Sequence, residues 1–204
     1  LNVVFGSFFL LLWKVKMLDE ELLKCYNLKH NYRPKYLQNK QKRRNEMRFV
    51  VILKQIPDDS IKDEYQDVDQ LNDSDKNVIK EALDLRDRYG GTVDVIGFGP
   101  LSAEDVMKET LTYGIDDAFL ISDPQFADMD VSQVAKIVAA VIKKLGPYDL
   151  VLCGRQAIDG DSAHMASMTS CALEIPLIAY SDEITEMKDG SVFATCMGDQ
   201  MAYK

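Results

Sequence analysis

The sequence predicts an α/β fold of the doubly wound kind, with a mostly parallel sheet covered by helices on both faces. From Met47 onward, short runs of β-branched residues alternate with segments of helical period, and each helical segment closes at a glycine. The resulting order is strand, helix, strand, helix, strand, helix, strand. One domain accommodates this order with right-handed crossovers between parallel strands.

The first two predicted strands flank a long helix. The run RFVVILK (48–54) predicts the first strand. The stretch VIKEALDLRDRYGG directs apolar residues, among them Ile79 and Leu85, to one side of a helix over about 73–89, which Gly90 terminates. TVDVIGF, directly after that glycine pair, predicts the second strand.

Two further helices and two further strands follow in the same rhythm. SAEDVMKETLTYG predicts a helix with Ser102 and Asp105 in capping-box spacing and with Gly114 at its end. DAFLIS predicts the third strand. DVSQVAKIVAAVIKKLG repeats apolar residues every three or four positions up to Gly146, which predicts a core-facing helix, and YDLVLC predicts the fourth strand.

Residues 1–46 differ in composition from the rest of the chain. They contain ten Lys/Arg against four Asp/Glu, whereas residues 47–204 contain fourteen against twenty-nine. The opening LNVVFGSFFLLLW is too short to span a bilayer and lacks the basic start and cleavage site of a signal peptide. We interpret residues 1–46 as a non-native or disordered extension, with translation beginning at Met47. The alternative is a membrane-associating tail.

Charge and cysteine usage narrow the function classes. The net charge of −9 disfavours nucleic-acid binding, because phosphates are repelled from an acidic surface. The four cysteines show no CxxC pairing and no histidine at ligand spacing, so we expect neither a metal site nor a disulfide framework. Reduced thiols are typical of a cytoplasmic protein, and we expect no membrane partner.

In a doubly wound sheet, ligands bind outside the carboxyl ends of the strands. That rule indicates four loops: KQIPDDS, GFGPLS, SDPQFAD and CGRQAIDGDSAH. In the last, Gly154 and Gly160 allow a sharp turn and close backbone approach, and a helix beginning near Asp161 directs free N–H groups toward an anion such as phosphate. The alternative is a plain strand-to-helix turn, with Arg155 solvated and Asp161 as an N-cap.

Recognised catalytic fingerprints are missing from the sequence. It contains neither GxGxxG nor GxxxxGK[ST], so it favours neither a dinucleotide-dehydrogenase turn nor a P-loop. His164 and His30 are the two histidines and lie far apart in the chain, which argues against a catalytic triad. Cys153, at the end of a strand, is interpreted as a small packed side chain. We therefore predict no catalytic side chain.

Several motifs occur in a characteristic order: VVILKQIPD, LNDSDKNVIKEALDL, GFGP, LTYGIDDAFLISD and DLVLCGRQAIDGDSA. Together they resemble the beta subunit of electron transfer flavoprotein over residues of about 47–201, and the last motif is the most specific. EIPLIAYSDEI is similar to that family's exit from a helix into a crossing strand. The resemblance implies a Rossmann-like fold of the adenine nucleotide alpha hydrolase type.

The resemblance also implies a cofactor and partners. In that family the beta subunit pairs with an FAD-carrying alpha subunit and binds AMP or, in electron-bifurcating members that react with NADH, a second FAD. GRQAIDGD and LISDPQFADMD resemble the NADH-linked group and favour FAD over AMP. The implied function is to pass electrons between partner dehydrogenases and acceptors, chemistry that belongs to the cofactor.

Carried over by motif, the nucleotide site draws on four segments of the chain. The phosphate is expected on the backbone of Asp161 to Met165. The full set implied by the resemblance is Ile52, Asn72, Asp73, Ser74, Asp75, Phe98, Gly154, Arg155, Gln156, Ala157, Ile158, Asp159, Gly160, Asp161, Ser162, Ala163, His164 and Met165.

Two departures from the family pattern stand out. The family continues with Gln, a small or branched residue and Gly where this chain has His164, Met165 and Ala166, a bulkier helix start. Residues 47–204 also stop before the family's final strand, so we expect a C-terminally incomplete domain. The alternative function is a stand-alone adenine-nucleotide-binding module of the same fold, but nothing after YDLVLCG matches the phosphate loop of such proteins.

Overall fold

The computed structural model describes residues 25–27, 46–53, 71, 73–126, 129–154, 164–196 and 199–203. The strands are β1 (Cys25–Asn27), β2 (Arg48–Leu53), β3 (Thr92–Phe98), β4 (Asp117–Ile121), β5 (Leu150–Cys153), β6 (Ser181–Lys188), β7 (Ser191–Cys196) and β8 (Asp199–Tyr203). The helices are α1 (Asp73–Tyr89), α2 (Glu104–Thr112), α3 (Val131–Leu145) and α4 (His164–Leu173).

The main sheet has five strands in the order β1-β4-β3-β2-β5. The four strands from β2 to β5 are parallel to their neighbours, and β1 pairs with β4 in antiparallel fashion at one edge. The prediction of a doubly wound, mostly parallel α/β fold is therefore confirmed. The sequence did not indicate β1, which falls in the segment that we interpreted as an extension.

Both faces of the sheet are covered, because alternate residues of each strand point to opposite sides. Phe49 and Val51 of β2 belong to the core beneath α1 and α2, whereas Val50 and Ile52 belong to the core beneath α3. Buried residues of α1 and α2 fill the first core, and a buried stripe of α3 fills the second. Strands enclosed in this way read as continuous apolar runs, as RFVVIL does.

The turn between α1 and β3 matches the sequence prediction closely. Helix α1 ends at Tyr89, and Gly90 and Gly91 follow with φ of +77° and +112°. A Cβ on Gly91 would lie 1.9 Å from the carbonyl oxygen of Met47, and that same oxygen accepts a hydrogen bond from the Thr92 N–H at 2.9 Å. Glycine at position 91 thus allows the chain to enter β3 alongside β2.

The capping box predicted at Ser102 and Asp105 is wrong. A 3₁₀ turn over Leu101–Ala103 precedes α2, so Ser102 already lies inside a turn, and Ala103 occupies the N-cap without a side-chain hydrogen bond. A true capping box occurs on α3, where Asp130 accepts from the Gln133 N–H at 2.9 Å and Gln133 accepts from the Asp130 N–H at 3.0 Å.

The second sheet has three antiparallel strands, β6, β7 and β8. It packs on α1 through the buried side chains of Ile184 and Ala194. Arg88 Nη2 donates to the Ile184 carbonyl oxygen at 2.9 Å, and the Met187 N–H donates to the Tyr89 hydroxyl at 2.9 Å. Sequence motifs indicated one crossing strand here, and the structure has a complete small sheet.

A buried ionic cluster joins the amino ends of the parallel strands. Arg48 begins β2 and forms a 3.1 Å salt bridge with Asp94 of β3. Its guanidinium lies 4.4 Å from the Tyr148 ring centroid, and the Tyr148 hydroxyl donates to the same Asp94 oxygen at 2.8 Å. Burial, reinforced by the Asp94 carboxylate, strongly raises the pKa of Tyr148. This cluster lies at the opposite end of the sheet from the candidate site.

Candidate functional site at the carboxyl edge of the sheet

The strand order creates a switch point between β2 and β5. From β2 the chain proceeds through β3 to β4 in one direction, and β5 then returns to pair with the other side of β2. Ile52 is in register with Ile96 of β3 and with Cys153 of β5. The carboxyl ends of β2 and β5 thus define the place where ligands bind in folds of this kind.

The predicted site residues of these two strands lie together at this edge. Ile52 is 2% exposed and belongs to the core on the α3 face, which Cys153 partly covers from β5. Gly154 follows β5 directly and is buried. A buried glycine at the end of a strand leaves the backbone itself as the lining of the edge.

Phe98, the predicted residue of β3, ends that strand beside Ile121 of β4. Its half-buried side chain faces the same core as Ile52, and its ring stacks on Phe126, with centroids 5.6 Å apart and an interplanar angle of 24°. The next residue, Gly99, donates its N–H to the Ile121 carbonyl oxygen at 3.1 Å. The loops after β3 and β4 are therefore connected through both backbone and side chains.

Helix α4 brings two more predicted residues to this region. His164 is its first described residue and is exposed, and Met165 is half-buried against the same core as Phe98 and Ile52. Ser167 Oγ donates to the His164 carbonyl oxygen at 2.9 Å within the first turn.

The remaining predicted residues divide into two groups. Asp75 lies in the first turn of α1 and is fully buried, which is uncommon for aspartate, while Asp73 and Ser74 precede it in that turn. Asn72 lies outside the described residues, as do Arg155, Gln156, Ala157, Ile158, Asp159, Gly160, Asp161, Ser162 and Ala163. The predicted helix start near Asp161 also falls in this range.

A groove of about 550 Å³ follows the outer edge of β5. Residues of α1, of α4 and of the second sheet line it, and it extends from Tyr148 to Ile52 and Cys153. Ile175 and Leu177, in the segment between α4 and β6, border it and are 41% and 40% exposed. Of the predicted site residues that the structure describes, Ile52 alone lines this groove, so the groove adjoins the carboxyl edge.

Metal ligation and membrane crossing find no support in the part of the chain that the structure describes. They contain no group of three or more His, Cys, Asp or Glu side chains that could hold a metal ion. Among the helices described above, none has the length and apolar character needed to cross a membrane.

Sequence reasoning missed Phe126 as a residue of this edge. The loop SDPQFAD was recognised as one of the four carboxyl-edge loops, but no residue within it was selected. The available signal was a large aromatic residue in an otherwise polar loop, which indicates a buried anchor.

Comparison with known proteins identifies the family. The sequence profile of the electron transfer flavoprotein domain matches residues 62–201. The chain is 37% identical over 145 residues to the electron transfer flavoprotein subunit beta of Thermoanaerobacterium thermosaccharolyticum, a match that covers 66% of this chain and 55% of the relative. It is 40% identical over 149 residues to the subunit beta of Clostridium acetobutylicum, covering 68% and 56%.

A further relative is named as part of a reductase complex. The caffeyl-CoA reductase-Etf complex subunit CarD of Acetobacterium woodii is 37% identical over 150 residues, covering 68% of this chain and 56% of the relative. The chain thus spans little more than half the length of these relatives. Because the profile covers most of the sequence and agrees with the α/β fold described above, the chain belongs to the electron transfer flavoprotein domain family.

Proposed function

We propose that this chain acts as the beta-type subunit of an electron transfer flavoprotein and binds an adenine nucleotide at the carboxyl edge of its sheet. The observation that carries the proposal is the convergence of Ile52, Phe98, Gly154 and Met165 on one edge, at the switch point, in a chain of this family. Parallel α/β sheets bind nucleotides at this position.

The described residues fit an adenine nucleotide. The half-buried Phe98 and Met165 offer apolar surface for a planar ring, and Gly154 adds no side chain at the end of β5. We expect the phosphate on the backbone of Asp161 to Met165, of which the structure describes the exposed His164 and the half-buried Met165. The roles of Asn72 and of residues 155–163 in completing the site remain predictions from the sequence motifs.

We propose FAD as the nucleotide, with AMP as the alternative and NADH as the electron donor if the protein belongs to the bifurcating group. The motifs GRQAIDGD and LISDPQFADMD support FAD. When bound, FAD supplies the redox chemistry. The chain binds and orients it and shields it from water, through the apolar face that contains Ile52 and Phe98.

We propose an electron transfer flavoprotein alpha subunit as the partner, with dehydrogenases as further partners of the complex. The apolar side chains of Ile175, Leu177 and Tyr180 are exposed in the short segment between α4 and β6 and support a protein interface there. We expect Leu177→Ser to weaken copurification with the alpha subunit, whereas the exposed Lys188→Ser on β6 serves as the matched control. Equal copurification of both variants would remove this surface from the interface.

The nucleotide assignment is tested by Gly160→Val. A Cβ with two methyl groups in the glycine-containing loop after β5 blocks backbone approach to the ligand, so we expect the variant to lose most of its bound nucleotide. Arg155→Ala in the same loop is the control and should retain more. Mass spectrometry of the nucleotide released from each purified protein gives the readout. Equal nucleotide content in Gly160→Val and the unmodified chain would contradict the assignment.

A further inference from the structure

The loop after β4 contributes a ring to the carboxyl edge that no sequence motif assigns to the site. Phe126 ends a short 3₁₀ turn, Pro124–Phe126, and is 8% exposed. Asp123 fixes this turn, since its carbonyl oxygen accepts from the Phe126 N–H at 3.0 Å and its Oδ1 accepts from the Gln125 N–H at 2.9 Å. The Phe126 carbonyl oxygen accepts from the Met129 N–H at 3.2 Å. Hydrogen bonds on both sides of Phe126 thus hold the turn that carries its ring.

The contact that this ring makes is with Phe98. The two rings are stacked, with centroids 5.6 Å apart. Phe126 belongs to the buried core on the α3 face, whereas Phe98 packs against that core from the end of β3 and is only half-buried. Phe126 is therefore the more enclosed ring, and Phe98, at the end of β3, retains surface that a ligand can contact.

A backbone hydrogen bond also joins the end of β3 to the end of β4. Gly99, which follows Phe98, is held to the end of β4 by its 3.1 Å hydrogen bond to the Ile121 carbonyl oxygen. The backbone after β3 is therefore anchored on the β4 side, and the Phe98 side chain is anchored on the same side by Phe126. Loss of the Phe126 ring removes the side-chain anchor and leaves the backbone anchor intact.

We propose that Phe126 is a positioning residue of the nucleotide site, which sets nucleotide affinity by holding the Phe98 ring at the carboxyl edge. The proposal rests on the proposed function, because it presupposes a nucleotide beside Phe98. It adds the loop after β4 to the site, because this loop orients the apolar surface that Phe98 provides.

The test measures AMP and FAD binding by titration calorimetry to the full chain freed of nucleotide, at a temperature where every variant is folded. We expect Phe126→Ala to raise Kd by up to about tenfold, because the nucleotide must then order the Phe98 ring that the aromatic pair held before. Phe126→Leu retains apolar bulk without the ring and should give a smaller increase. This second variant keeps the test valid if Phe126→Ala does not fold.

Ile137→Ala is the matched control. Ile137 is 4% exposed on α3 and belongs to the same core as Phe126, so its truncation should lower Tm comparably while both rings of the Phe98 pair stay in the chain. A merely structural role for Phe126 would shift Tm in both variants and leave both Kd values within twofold of the unmodified chain, and this result would overturn the proposal. Absence of binding by the unmodified chain would instead refute the proposed function, and this inference with it.

Discussion

Asp94→Ala should strongly destabilise the chain, because Asp94 belongs to the buried ionic cluster at the amino ends of the strands. Asp94 is fully buried, and the Arg48 side chain is 8% exposed. The substitution removes the acceptor of both the 3.1 Å salt bridge and the 2.8 Å Tyr148 hydrogen bond. Arg48 would retain its hydrogen bonds to the Leu145 and Pro147 carbonyl oxygens but would lose its negatively charged partner in β3.

The expected loss of stability depends on the Arg48 charge, which Asp94→Ala leaves buried. Removal of one partner of a buried ion pair typically costs about 3–5 kcal/mol, because the other charge stays buried without compensation. Tyr148→Phe removes one hydrogen bond to a charged acceptor and should cost about 1.5–3 kcal/mol. Replacement of the pair by apolar residues, Arg48→Met with Asp94→Leu, should recover much of the loss, since neither charge then remains.

The assay is equilibrium unfolding in urea, with far-UV circular dichroism and linear extrapolation of the free energy of unfolding to water. We expect the order of stability to be unmodified chain, Tyr148→Phe, then Asp94→Ala. A loss below about 1 kcal/mol for Asp94→Ala would refute the reasoning, because that cost is typical of a solvent-exposed ion pair.

Two further predictions concern the fold. Gly91→Ala should destabilise the chain far more than Gly90→Ala. Both glycines have positive φ, but the added Cβ meets the Met47 carbonyl oxygen at position 91 and no atom within 4 Å at position 90. Thermal unfolding of the two variants measures the difference, and equal Tm values would contradict the prediction. Burial raises the pKa of Tyr148 above its ordinary 10.0, so above pH 10 the folded chain retains a proton that the unfolded chain releases. The free energy of unfolding should therefore fall as the pH rises above 10, by as much as about 1.4 kcal/mol per pH unit. Urea unfolding between pH 9 and 11 measures the slope, and an unchanged slope in Tyr148→Phe would show that another group causes it.

The elements of the main sheet could be predicted because their signals are local. Helix α1 was predicted over about 73–89 and spans Asp73–Tyr89, and TVDVIGF forms β3 over its full length. Helix α1 keeps its apolar period up to Gly90, and β3 begins directly after Gly91, and both glycines have positive φ. The same kind of local signal gave a wrong prediction at Ser102. Its spacing to Asp105 suits a capping box, but the chain forms a 3₁₀ turn after Pro100.

Other features depend on contacts that a sequence pattern does not encode. The three residues of β1 are too few to show alternation, and β1 forms because β4 presents an edge to it. The pairing of β6 with β7 shifts register between Ser181 and Glu183 and again between Ile184 and Glu186, which disrupts the alternation by which strands are recognised. The second sheet was therefore only partly foreseen.

The candidate site shows the same division. Gly154 and the end of β3 could be located from loop position and motif resemblance. Phe126 could not, because its role depends on the stacking geometry with Phe98 across two loops. Asp75 was selected from its motif, but its complete burial emerged only from the packing around α1.

The central claim is that the carboxyl edge of this sheet binds an adenine nucleotide in an electron transfer flavoprotein. The most direct measurement is the identity and amount of nucleotide released from the chain after coproduction and copurification with an electron transfer flavoprotein alpha subunit, by absorbance spectrum and mass spectrometry. We compare the unmodified chain with Gly160→Val, so that nucleotide carried by the alpha subunit cancels. We predict that the difference between the two preparations is close to one FAD per chain. AMP in the same amount would replace FAD as the ligand and preserve the site. Equal nucleotide content in the two preparations would contradict the claim.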